Sequence, residues 1–103
     1  MAIPLSERQF ELGIDQEMEN WMRQVYELLA EHRELAYSQG ELQQAVLDKP
    51  TPVTKLQKFG RALDVLAEVR AVEKRWVGDT DYYAFLQELD TNTWEPDLSF
   101  HRV

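Results

Sequence analysis

Cysteine is absent from the 103 residues, and with it go disulfides, thiolate metal sites and a cysteine nucleophile. Glycine and proline are scarce, four of each, so the few chain breaks they make are informative. No stretch approaches the roughly 18 apolar residues of a membrane span. The opening MAIPLSER lacks the basic start and apolar run of a secretory leader. A cytoplasmic protein without a membrane partner is expected. There is also no phosphate-cradling glycine loop, no nucleophile elbow and no two-histidine zinc helix, so neither an enzyme nor a cofactor is expected. His32 and His101 stand apart from any acidic motif, and Asp79-Thr-Asp81 lacks the other loop ligands of a calcium site. The reading is a turn, and no metal.

What is present is a chain with 44% apolar and 29% charged residues, a composition that folds as one soluble domain. The net charge of −8 argues against indiscriminate attraction to nucleic acid. It is unevenly spread. Residues 1–52 hold four basic and ten acidic side chains, net −6, and residues 84–103 hold one and four, net −3. Residues 53–83, with six basic and five acidic, carry +1.

Along residues 1–14, Phe10, Leu12 and Ile14 alternate with Glu11 and Gly13, as in either an extended arm or a frayed turn. From Asp15, a candidate N-cap, Met18, Met22, Val25 and Leu29 recur at helical spacing. Trp21 and Leu28 widen the stripe to an arc of roughly 160°, more than a surface helix needs. The helix, expected to end near Arg33 or Glu34, should therefore pack on two sides, against the N-terminal arm, the C-terminal tail or another copy of the chain. A connection, Leu35-Ala-Tyr37, leads to Ser38-Gln-Gly-Glu41, a capping box that starts a short second helix at Gln39 with Leu42, Ala45 and Val46 inward. Two prolines in Asp48-Lys-Pro-Thr-Pro52 end it.

The third helix begins either after Thr51, with Pro52 at its first position, or after Thr54, where Thr54-Lys-Leu-Gln57 is a second capping box. Leu56, Phe59, Leu63 and Leu66 form its buried stripe, with Gln57, Lys58 and Arg61 on the solvent side. The period then becomes that of strands. Val72 to Val77 is one strand, Gly78 to Asp81 the turn and Tyr82 to Leu86 the return. Residues 87–103 form a tail that docks by its aromatics. The tryptophans Trp21, Trp76 and Trp94, with Tyr82 and Tyr83, are read as core packing rather than a stacking platform for bases.

Two stretches carry a resemblance. AYSQGELQQAV resembles the second-helix segment of bacterial winged-helix transcription regulators, in which Ser or Thr caps a helix with a Glu-Leu pair. FGRALDVLAEVRAVEKRWVGDTDYYAF is similar to their recognition helix and wing, and its start, with Lys58, also resembles the C-terminal winged helix of phage and plasmid primases. The resemblance covers about residues 15–86. It implies a mostly α fold with a small β-hairpin (α+β), a winged helix-turn-helix of three helices plus wing, between an N-terminal arm (1–14) and a C-terminal tail (87–103).

One position departs from the pattern. The regulators place a glycine between recognition helix and wing, whereas this chain has Arg70-Ala71, so a different helix exit is expected. Carried over residue by residue, the resemblance implies a DNA-binding set of Gln57, Lys58 and Arg61 against base edges or phosphates in the major groove, with Lys74 and Arg75 near the backbone or minor groove.

Two functions follow. One is binding of double-stranded DNA, regulatory or replication-associated, as a homodimer through the first helix or the tail. The other is an acidic winged helix that binds a protein partner. A continuous positive field over the third helix and wing favours the first, and its cancellation by Asp64, Glu68, Asp79 and Asp81 favours the second.

Overall fold

The computed structural model describes residues 4–47 and 51–96. In chain order they form α1 (Glu7–Leu12), α2 (Gln16–Glu31), β1 (Ala36–Ser38), α3 (Gln39–Val46), α4 (Val53–Glu68), β2 (Val72–Val77), β3 (Thr80–Phe85), β4 (Leu89–Asp90) and β5 (Glu95–Pro96). The architecture is α+β. A three-stranded antiparallel sheet in the order β1-β3-β2 packs against the helices, and β4 pairs with β5 separately.

Helix α2 is the spine. Its N-cap Asp15 accepts a hydrogen bond from the Met18 amide at 2.9 Å, meeting one of the amides a helix start leaves unpaired. Met18, Trp21, Met22, Val25, Tyr26 and Leu29 are all buried. Trp21 meets Phe59 of α4 edge-on, with ring centroids 5.7 Å apart. The arm and the tail cover the other side of α2, for Ile14, Leu89 and Trp94 join the same core as α2 and α4. Tyr26 ties the tail down: its hydroxyl donates to the Gln87 carbonyl at 2.9 Å and accepts from the Leu89 amide at 2.8 Å.

Residues 7–12 form a helix rather than an extended arm. Ser6 and Gln9 make a reciprocal capping box, and Gly13 ends the helix in the left-handed region, φ 75°. The alternation of Phe10, Leu12 and Ile14 was accidental. Phe10 is exposed, and Ile14 is buried beyond the helix end.

Ala36 to Ser38, expected as connection, is the third strand, pairing Tyr37 with Tyr83 on β3; three residues are too few to show a period. The Ser38 capping box forms as expected, with Ser38 N to Glu41 Oε1 at 2.8 Å and Glu41 N to Ser38 Oγ at 3.2 Å. Leu42 is buried and Val46 packs on the core, but Ala45 faces solvent. Leu47, just past the helix end, is buried instead.

Helix α4 starts at neither expected position. Pro52 is its N-cap, without a side-chain cap, and Thr54 lies within the first turn. The Pro52 carbonyl accepts from the Lys55 and Leu56 amides at 3.0 and 3.1 Å. Phe59, Leu63 and Leu66 are buried with Ala62 and Val65, and Leu56 is half-buried against them.

The expected unusual exit from α4 is a correction too. Arg70 itself takes the left-handed conformation, φ 65°. The Ala71 amide reaches the Leu66 carbonyl at 3.0 Å and the Arg70 amide the Ala67 carbonyl at 3.1 Å, the paired bonds of a Schellman end. An arginine occupies the place a glycine fills most cheaply. Beyond it, β2 runs over the expected residues. The turn is tighter than expected: Val77 pairs with Thr80, so β3 begins at Thr80 and ends at Phe85. Only Gly78, φ 66°, is left-handed there, as a two-residue hairpin with glycine in first place requires.

Candidate functional site

The polar side of α4 is a stripe of exposed residues, Gln57, Arg61, Asp64 and Glu68, spaced so that they share one helix face. Lys58, one residue from Gln57, turns toward α2 instead. Its ammonium lies 2.7 Å from Asp15 Oδ2 and 2.8 Å from Glu17 Oε1, while Lys55 holds the other Glu17 oxygen at 2.7 Å. Two lysines of α4 thus neutralise two carboxylates at the start of α2, where the helix dipole favours negative charge. The Lys58 ammonium also stands 5.9 Å from the Trp21 ring centroid.

The titration of these groups follows the geometry. Burial pushes the Asp15 carboxyl up, but the Lys58 ammonium and the Met18 amide outweigh it and hold the group below the ordinary aspartate value. Lys55 and then Lys58 hold Glu17 low. Burial lowers Lys58, yet its two carboxylate partners raise it above an ordinary lysine.

The hairpin divides its two basic candidates. Adjacent strand residues point to opposite sheet faces, so Lys74 and Arg75 cannot meet one groove together. Lys74 turns to the helix side, 3.3 Å from Asp64 Oδ1 and 3.7 Å from Asp81 Oδ2. Arg75 lies on the outer side, where Glu73 takes it at 2.6 Å. Among the described residues, Arg61 is the one basic candidate without an ion pair. Gln57 and Arg61 therefore stand together, whereas Lys58, Lys74 and Arg75 go to three separate acidic sites.

Two features were not anticipated. One is the engagement of Lys58 by Asp15 and Glu17, 43 and 41 positions earlier in the chain, which no local pattern reveals. The other is Trp76. Core packing holds for Trp21, Trp94 and Tyr83, but Trp76 is 65% exposed. It shares the helix-side parity of Val72 and Lys74, yet lies near the hairpin tip, and the order Val72, Lys74, Trp76 contains the signal for its facing. His32 is half-buried, its ring 6.2 Å from that of Tyr37; His101 and the docking aromatic Phe100 lie outside the described residues. Among the described residues no group of three His, Cys, Asp or Glu side chains could hold a metal ion, and no helix is long and apolar enough to cross a membrane.

The chain matches no family model, no curated protein and no solved structure.

Proposed function

We propose that the chain is a winged-helix module that binds a protein partner, with the exposed α4 stripe as its contact surface. The element order supports the fold assignment: α2, β1, α3, α4, then the β2–β3 hairpin, with β1 returning to pair with β3. On this reading α4 takes the part of the recognition helix and the hairpin that of the wing.

The observation that carries the choice of partner is the internal neutralisation of Lys58, Lys74 and Arg75. A phosphate backbone is bound chiefly by lysine and arginine side chains that shed counterions. Here three of four basic candidates already hold carboxylates, and duplex binding would have to displace them. The remaining stripe runs from Gln57 and Arg61 to Asp64 and Glu68, one basic and two acidic side chains on a chain of net charge −8. Such a surface complements a polar, partly basic protein better than a polyanion.

Fluorescence anisotropy of a labelled mixed-sequence duplex tests this at about 50 and about 200 mM salt, concentrations between which phosphate contacts weaken steeply. The wild-type protein is expected to leave the duplex free at both. The Asp64→Asn/Asp81→Asn variant, with Lys74 released, is expected to acquire weak binding that disappears at the higher salt. Salt-sensitive binding by the wild type, lost on charge reversal of Lys58 and Arg61, would replace the proposal with duplex recognition through α4.

A further inference from the structure

We propose that the free edge of β2 is the seam of a symmetric dimer, in which Trp76 of each copy enters the hollow at the end of α4 of the other.

Strand β3 lies in the middle of the sheet, so among the described residues β2 has a partner on one side only. The closing pair of the hairpin is Val77 with Thr80. Alternation along an antiparallel ladder then directs the backbone groups of Glu73, Arg75 and Val77 to β3, and those of Val72, Lys74 and Trp76 to the open edge. An edge of this kind takes up another strand unless something blunts it, and charged side chains are the usual means.

Here the charges select a register instead. Pairing β2 with a second copy about a two-fold axis at Lys74 sets Val72 opposite Trp76 and Glu73 opposite Arg75, twice over. The outer face then carries four alternating charges. A slip of two residues in one direction opposes Arg75 to Arg75, and in the other Glu73 to Glu73; both are repulsive. The lysines that meet on the axis are already neutralised by Asp64 and Asp81 of their own chains.

Trp76 supplies the apolar anchor. It is 65% exposed, on the sheet face of Val72, and the Lys74 register brings it beside Val72 of the other copy. At that place each chain has a hollow of about 300 Å³ lined by Ala67, Arg70, Val72, Glu73, Lys74 and Leu86. Its lining is mixed: Ala67, Val72 and Leu86 offer apolar contact to an indole, and the Arg70 guanidinium can lie against the ring face. The contact is isologous, so both hollows fill in one closed dimer. The seam adjoins the α4 stripe at Asp64, which lies 3.3 Å from Lys74, but Trp76 and Glu73 are not stripe residues, so their variants test the seam separately from the protein-binding reading.

The interface is small, below about 1,200 Å², and association in the micromolar range is expected. Sedimentation velocity from about 1 to about 300 µM spans that range. Iodide quenching at the same concentrations reports on Trp76, because Trp21 and Trp94 are 7% and 1% exposed. The wild type is expected to pass from monomer to dimer as its quenchable fluorescence is lost. Trp76→Ala should weaken association about tenfold or more, as loss of a central aromatic anchor does, with an unchanged circular dichroism spectrum. Glu73→Arg should abolish it, and Glu73→Arg/Arg75→Glu should restore it. A protein monomeric throughout, a dimer indifferent to Trp76→Ala, or a double variant that fails to recover would each overturn the proposal.

Discussion

Two tryptophans of one chain, Trp94 and Trp76, show how differently its ends of the fold are built. Trp94 sits in the turn between β4 and β5, 1% exposed. Its indole N–H donates to Glu19 Oε2 at 3.0 Å, and the other carboxylate oxygen of Glu19 accepts from Gln9 Nε2 at 2.8 Å. Arg23 lies 3.3 Å from the same carboxylate. One buried acid thus joins α1, α2 and the tail, with every donor matched, as a buried carboxylate requires. Trp76, by contrast, stands in solvent among paired surface charges. The first region spends its polar groups on holding the chain together. The second uses them to cancel its own field, and leaves an apolar side chain unspent.

The sharpest way to break that contrast is to truncate each tryptophan in turn. Trp94→Ala removes a fully buried indole and a donor to Glu19, and should cost about 3–5 kcal/mol. That is a large part of the roughly 5–15 kcal/mol by which domains are stable. Trp94 also holds a left-handed backbone, φ 58°, unusual for a bulky residue and maintained by what its side chain makes. Trp76→Ala, measured at dilution where the chain is monomeric, should change stability by no more than about 0.5 kcal/mol. Urea unfolding followed by circular dichroism compares the two. Equal losses would mean that Trp76 belongs to the folded core after all.

Much of this fold was legible in the sequence, because its signals were local. Asp15, the Ser38–Glu41 box and the strand from Val72 to Val77 announced themselves by residue type and spacing. Even α1 had a readable start in Ser6-Glu-Arg-Gln9, a capping box obscured by the apolar alternation that followed. What could not be read was long-range. Tyr37 becomes a strand residue only because Tyr83 lies beside it, and Lys58 leaves the solvent stripe only because α2 presents Asp15 and Glu17. The basic residues of the candidate site were visible singly, but their partners depend on helix packing and strand parity.

A middle-sized effect is expected at the Lys58 cluster, where the surface charges do contribute to docking two helices. Asp15 and Glu17 are held low, so their contribution is present above the ordinary carboxylate range, about pH 4, and is lost as pH falls through their folded values. Lys58 is held high, so its contribution is present below about pH 10 and is lost as pH rises through its folded value. Lys58→Met keeps an apolar side chain of similar length and removes the charge. It should cost about 0.5–1 kcal/mol near neutral pH, as partly exposed pairs do. The gap from wild type should close as the pH drops below the folded carboxylate values. A gap that persists unchanged in acid would assign the loss to packing rather than charge.

The smallest expected effect lies at the two helix exits, which share one backbone design with different residues. Gly13 ends α1 with its amide on Phe10 and that of Ile14 on Gln9, and Arg70 ends α4 with the equivalent pair. A non-glycine residue in this conformation is strained by about 1–2 kcal/mol, while glycine costs about 0.5–1 kcal/mol more unfolded-chain entropy. Arg70→Gly should therefore stabilise the monomer by about 0.5 kcal/mol, the difference between those terms, read as a shift of a few degrees in Tm. Gly13→Ala should do the reverse by a similar amount. The Arg70 carbonyl accepts from Gln87 Nε2 at 3.1 Å, a bond to the backbone that the substitution retains. If Arg70→Gly lowered Tm instead, the arginine side chain would be stabilising the monomer by more than its own backbone strain. The hollow beside β2 would then be partly filled by Arg70 in the isolated chain.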